Sequence, residues 1–241
     1  MGRPHRHIET NIEKFFAAPG IAVLDMFCCS GLSAEGILKH PGVKVLGVDN
    51  KKPSYYPGTF LLADARDIDL TFIKLFNFVW FSPPCQFESR GTAVARRNGK
   101  EYSNFIPLAR QLAHASGIPS VIENIPEAAV RPDFMLCGSM FNLPQWRHRH
   151  FECINWKPQY ERFYCDHTIN KGNNHVIAGA FKGTIHDAAE SMQCYPGRLR
   201  SEIKEGIPPA YSKFIFETFL NNAPGFSQPT GYLTTHQALN I

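Results

Sequence analysis

Four short apolar runs punctuate the first half of the chain: IAVLDMF at 21–27, VKVLGVD at 43–49, NFVWFS at 77–82 and PSVIENI at 119–125. Each is a continuous β-branched or aromatic stretch bounded by turn residues, the pattern of a strand buried on both faces. Between them, 33–40, 67–76 and 103–116 carry helical spacing, and 8–17 reads as an amphipathic helix ahead of the first strand. Strands alternating with helices predict an α/β fold built on a mostly parallel sheet flanked by helices. The pattern breaks after about residue 155, where 156–206 is rich in His, Lys, Asn, Gly and Cys and holds only short apolar runs such as VIAGAF. This stretch reads as a small appended lobe or a long excursion. Helical periodicity returns in IPPAYSKFIFETFL at 207–220, whose two prolines suit a first helical turn, and the tail from Asn221 is polar.

A chain of 241 residues can bury a sizeable core in one domain with a small appendage. Its 44% hydrophobic and 19% charged residues fit a globular protein. No run of about eighteen apolar residues is present, and the start MGRPHRHIETNIEK is polar where a signal peptide is apolar. The expectation is a cytoplasmic protein with no membrane partner. Seven scattered cysteines, an odd number, suggest free thiols in a reducing compartment. A net charge of +4 with ten histidines is compatible with nucleic acid and proves nothing.

Open parallel sheets bind ligands at the carboxyl ends of their strands, and the polar signals fall there. The first strand runs into DMFCCSGLSAEG, a turn of small residues before a helix; the second ends at Asp49, followed by Asn50; the 58–62 segment leads to Asp64 and Ala65. A small-residue turn with an acid at the next strand end is a layout that holds an adenosine group; an ordinary turn with a solvated Asp gives the same letters. After NFVWF comes Ser82-Pro83-Pro84-Cys85-Gln86. Proline confines the residue before it to extended conformations, so the strand leaves as an ordered turn and Cys85 projects into the cleft, as nucleophile, metal ligand or filler. A nucleophilic thiol needs a partner, and VIENI offers Glu123 and Asn124 at the same edge if the two strands are neighbours. In PQWRHRHFE, Gln145, Arg147 and Arg149 alternate onto one side of an extended segment, suited to phosphate or carbonyl oxygens.

Taken in order, DMFCCSG, Asp49, SPPCQ, ENI, QWRHR and the terminal IPPAYSKFI resemble the cytosine-5 DNA methyltransferases. The resemblance covers most of 20–155 and returns at about 200–216; the combination is specific where each piece alone is not. It implies a Rossmann-like methyltransferase fold dependent on S-adenosyl-L-methionine, with a catalytic domain of 1–155 plus 201–241 and a short target-recognition lobe at 156–200. It implies that the Cys85 thiolate adds to carbon 6 of a cytosine flipped out of duplex DNA, that Glu123 holds the base, and that Arg147 and Arg149 contact its carbonyl and the adjoining phosphate. It further implies cofactor contacts from Asp25, Phe27, Cys28, Cys29, Ser30, Gly31, Leu32, Asp49, Asn50, Asp64, Ala65 and Pro83, with Ile68 near the adenine. Substrate contacts fall to Ser82, Pro84, Gln86, Ser89, Arg90, Asn124 and Gln145, and 86–103 becomes a loop closing over the base. A monomer is the default, and the same chemistry on RNA or another pyrimidine, or a non-catalytic DNA-binding relative, stays open.

Two departures from the family pattern stand out: Cys29 and Leu32 occupy places usually held by glycine, and Lys204-Glu205 replaces a Gly-Asn pair ahead of the last motif. Within the lobe, Lys171, Asn173, Asn174, His175, Lys182 and Arg198 are candidates to touch DNA. Cys153, Cys165, His167 and Cys194 lack a tight Cys-x-x-Cys pair, so no metal is expected.

Overall fold

The structure, a computed structural model, describes residues 5–168 and 183–222, with side chains from residue 11. A sheet of seven strands runs in the order β3-β2-β1-β4-β5-β7-β6. These are β1 (Ile21–Met26), β2 (Val43–Asp49), β3 (Thr59–Leu62), β4 (Phe78–Phe81), β5 (Ser120–Asn124), β6 (Phe134–Leu136) and β7 (Arg149–Ile154). The first five pair in parallel, and β7 pairs antiparallel with both β5 and β6. The strand order switches direction between the parallel neighbours β1 and β4, placing a crevice at the carboxyl ends of these strands, where open α/β sheets bind ligands.

Alternate residues of each central strand serve opposite layers. Leu24, Met26, Val79, Phe81 and Ile122 face a layer containing Phe15 of α1 (His5–Ala17) and Ala109 and Ala113 of α5 (Ile106–Ser116). Val23, Phe78, Trp80 and Val121 face Ile37 of α2 (Leu32–Ile37) and Tyr211, Ile215, Phe216 and Phe219 of α8 (Pro209–Asn222). Phe78 lies 4.6 Å from Phe219 and 5.3 Å from Phe216, ring centre to ring centre, and burying each such ring stabilises the fold by about 1.5–3 kcal/mol. Helices α2 and α8 touch at Gly36, where a Cβ would stand 2.9 Å from the Lys213 backbone nitrogen. Helix α8 thus lies on the layer that supports β1, despite Lys204-Glu205 ahead of it.

The helix expected at 67–76 is two short pieces, a 3-10 turn at Ala65–Asp67 and α3 (Leu70–Ile73). Aspartates set the break: Asp64 accepts from the Arg66 amide and Asp69 from the Phe72 amide at 2.7 Å, so each caps a new start. The 86–103 segment carries α4 (Ala93–Arg97). Beyond β7, Trp156, Tyr160 and Phe163 pack against the core, Tyr160 stacking on Phe134 at 4.4 Å. Helices α6 (Ile185–Met192) and α7 (Arg200–Glu205) cover Leu32 through Ala188, Ala189, Met192 and Ile203. Both described flanks of the 156–200 segment therefore rest on the sheet domain. Lys171, Asn173, Asn174, His175 and Lys182 lie outside the described residues. Among the described residues no helix is long and apolar enough to cross a membrane.

Candidate active site

Strands β4 and β5 are parallel neighbours with Phe81 opposite Ile122, so the residues that follow, Ser82 and Glu123, emerge side by side. Pro83 is buried and Pro84 exposed, and a 3-10 turn, Cys85–Phe87, begins directly after them. Asn124 donates its side-chain amide to the Pro83 carbonyl at 2.9 Å. The proline turn is thereby tied to the strand that carries the glutamate. Cys85 is half-buried, and burial pushes its thiol up while the Arg149 charge beside it pulls down and Glu123 pushes up again.

Glu123 is 8% exposed and forms an ion pair with Arg149 at 3.0 Å. Desolvation raises its carboxyl above the ordinary carboxylate range, although Arg149, Arg147 and a hydrogen bond from Ser82 oppose the rise. Ser82 is itself oriented by the Trp80 indole N–H, which donates to its hydroxyl at 2.9 Å. Arg147 is buried and donates to the Lys204 carbonyl at 2.7 Å, while its Nε has no partner among the described residues. Burial, then the like charge of Arg149, lowers its guanidinium to about 9. Tyr211 of α8 donates to the Arg147 carbonyl at 2.6 Å, so IPPAY supports the arginine segment from behind. The two arginines, Glu123 and Cys85 form one electrostatic group.

The other expected substrate residues divide. Gln86 and Ser89 carbonyls accept from Arg96 at 2.8 and 2.9 Å, bracing the 86–103 segment, and Arg90 pairs with Glu127 at 3.4 Å. Gln145 does not join the cluster. It is 1% exposed, and its amide donates to the Ser191 carbonyl at 2.9 Å.

At the next strand ends, the turn after β1 is sharply bent, with Phe27 at φ 59°, Cys29 at φ 45° and Gly31 at φ 68°. Cys29 thus adopts the left-handed conformation that favours glycine. Asp49 holds the turn, its two oxygens accepting from Cys29 N at 2.9 Å and Lys51 N at 3.0 Å. A carboxylate has about four acceptor positions, so Asp49 retains capacity for two hydroxyl groups. Asn50 is exposed. Ser30 is buried and its hydroxyl has no partner among the described residues. Cys28, Leu32 and Ala65 are buried apolar contacts, and Phe27, half-exposed, lies 5.4 Å from Phe105. Asp64 is engaged by Arg66 at 2.7 Å, whose hydrogen bonds hold its carboxyl down at about 2. Asp25 lies beneath the turn, fully buried, accepting from Ser33 at 3.0 Å and Tyr56 at 3.0 Å.

The supporting roles of two residues, Tyr56 and Arg198, are not legible in the sequence. Tyr56 fits because Gly31 and Gly47 lack a Cβ that would meet its ring; those glycines are its only trace in the sequence. Arg198, a candidate to touch DNA, is instead 1% exposed and donates to the Ser30 carbonyl at 3.0 Å. It pairs with Glu35 at 2.7 Å and lies over the Tyr55 ring at 4.9 Å. It is a clamp under the turn.

No protein-family model matches the sequence, and no curated protein matches it. Among solved structures the chain is similar to EhMeth, a methyltransferase of Entamoeba histolytica, with a TM-score of 0.55 at 10% sequence identity over 85% of this chain and 99% of that one. Together with the seven-stranded sheet and its flanking helices, this shows a Rossmann-like α/β fold of the kind that methyltransferase has. The residues at the ends of β1 and β2 suit an adenosine-bearing cofactor with an amino-acid end: the Asp49 carboxylate with spare acceptor positions, the buried Ser30 hydroxyl with no partner among the described residues, and the half-exposed Phe27 ring.

Proposed function

We propose that the protein transfers a methyl group from S-adenosyl-L-methionine to carbon 5 of cytosine in DNA. One observation carries this reading: the Cys85 thiol leaves the end of β4 in the field of the Glu123–Arg149 ion pair, which stands at the ends of the neighbouring strands β5 and β7. Carbon 5 of cytosine is a poor nucleophile. Addition of the Cys85 thiolate to carbon 6 breaks the ring's aromaticity and makes carbon 5 enamine-like. The bound cofactor supplies an electrophilic methyl on a sulfonium.

Each side chain has a role that its surroundings suit. Glu123, biased toward its protonated form, holds ring nitrogen 3 and the exocyclic amine and lends a proton as charge develops in the ring. Arg149 steadies the base carbonyl and the thiolate, and Arg147 reinforces that positive field. Asp49 takes the ribose hydroxyls, and the 27–31 turn faces the amino-acid end. After carbon 5 is methylated, its proton is lost to a base and the carbon–sulfur bond breaks, restoring the 5,6 double bond and the thiolate. Carbon 6 is out of reach inside a duplex, so the target base is flipped into the site, and the 86–103 segment, braced by Arg96, closes over it.

The test is transfer of labelled methyl from the cofactor to duplex DNA, RNA and free nucleotides, followed by nucleoside analysis. The expected result is 5-methylcytosine in DNA. Label confined to RNA, or found on the exocyclic nitrogen, contradicts the proposal.

A further inference from the structure

A second cluster of reactive side chains stands apart from the thiol cleft. Cys137 follows β6, His148 precedes β7, and Cys165 and His167 lie beyond the aromatic segment that packs on α8. One potential ligand atom from each lies within 4.8 Å of all the others. The Cys137 sulfur is 3.5 Å from His167 Nε2, and the Cys165 sulfur is 3.6 Å from His148 Nε2.

We propose that Cys137, His148, Cys165 and His167 form a tetrahedral zinc site that pins the start of the 156–200 segment to the sheet domain. Zinc bonds thiolate sulfur at about 2.3 Å and imidazole nitrogen at about 2.0–2.1 Å, which places sulfur and nitrogen on one tetrahedral edge about 3.6 Å apart. Both cysteine–histidine separations match that edge. Isolated thiol–imidazole hydrogen bonds account for two pairs of residues; they do not require the two pairs to converge on a common point. Two sulfurs and two nitrogens in this arrangement are the donor set that zinc prefers.

The surroundings fit a fixed ligand cage. The Trp146 ring stacks on His167 at 4.4 Å with planes 16° apart, and the Ser139 hydroxyl donates to the Cys137 sulfur at 3.5 Å. Such outer contacts orient ligands and tune their basicity. The expectation of no metal, and the alternative set Cys153, Cys165, His167 and Cys194, are thereby revised. Cys165 and His167 belong to the cluster, whereas Cys153 is buried in β7 near Asp133, and Cys194 sits by Arg198 and Glu35. The ligands His148 and Cys137 flank the arginine strand, His148 standing between Arg147 and Arg149. Zinc here anchors that strand as well as the segment beyond it.

The site stands independently of the methyl-transfer reading, and its test is metal content. Full-length protein purified without chelator is expected to hold one zinc per chain by elemental analysis, lost in the Cys137→Ser/Cys165→Ser double variant and retained in Cys194→Ser. As a check that needs no variant, chelator-stripped wild type refilled with cobalt(II) is expected to show the visible bands of tetrahedral cobalt with thiolate charge transfer. Wild type without zinc and without that cobalt spectrum, or zinc retained by the double variant, overturns the proposal.

Discussion

The Asn124 side-chain amide donates to the Pro83 carbonyl at 2.9 Å, joining the turn that presents the thiol to the strand that presents the glutamate. Removing this bond frees the turn without touching Cys85 or Glu123. Misplacing a reacting group by about 1 Å costs roughly 100-fold in rate. Asn124→Ala is therefore expected to lower kcat about 100-fold with cofactor affinity unchanged, as read by single-turnover methyl transfer alongside calorimetric binding.

Arg149 neutralises a glutamate that is 8% exposed. Arg149→Ala leaves Glu123 buried with only the Ser82 hydrogen bond and the more distant charge of Arg147, and breaking a buried pair costs about 3–5 kcal/mol. The cleft is partly open, so the low end is expected, and the loss is smaller in acid, where the orphaned carboxyl protonates. Denaturant unfolding of wild type and variant at acid and alkaline pH measures both features.

Arg198 clamps the β1 turn through the Ser30 carbonyl and Glu35. Loss of a charged hydrogen bond of this kind is worth about 1.5–3 kcal/mol. With about 1.4 kcal/mol of that felt at the turn, Arg198→Lys is expected to weaken S-adenosyl-L-methionine binding about 10-fold. Equilibrium dialysis with labelled cofactor checks this, and an unchanged affinity removes Arg198 from the cofactor site.

Burial raises the Asp25 carboxyl from 3.8 to about 8 against the hydrogen bonds from Ser33 and Tyr56. The native state therefore holds a proton that the unfolded chain releases. Stability from this group is full below about pH 4 and is lost as pH rises through about 8. Asp25→Asn stays neutral throughout, so its melting temperature relative to wild type is expected to rise steadily across that window. A difference that stays flat contradicts the assignment.

Much of the sheet was legible because β1, β2, β4 and β5 are covered on both faces and so read as unbroken apolar runs. β6 was not: it has three residues, and Met135 in its middle is 49% exposed. The proline turn and Glu123 could be placed because each lies at the end of a readable strand, and Arg149 because its alternation with Arg147 marks an extended segment. Arg198 could not, since its partners Ser30 and Glu35 are far off in sequence and a buried arginine carries the same letter as a solvated one. Gln145 shares the alternation of the arginines but turns toward α6, a choice that depends on a helix with no local link to it. The Cys137 cluster draws on three separate segments, so no spacing rule announces it.

The proposed reaction turns on a transient bond between the Cys85 sulfur and carbon 6 of the target base. With fluorine at carbon 5 no proton can be lost, so elimination stops and the bond persists. Full-length protein incubated with S-adenosyl-L-methionine and duplex DNA containing 5-fluorocytosine is expected to give a denaturation-resistant protein–DNA complex whose cross-linked peptide contains Cys85, with none formed by Cys85→Ser. Methyl transfer to ordinary DNA by Cys85→Ser, or a cross-link through another residue, contradicts the account.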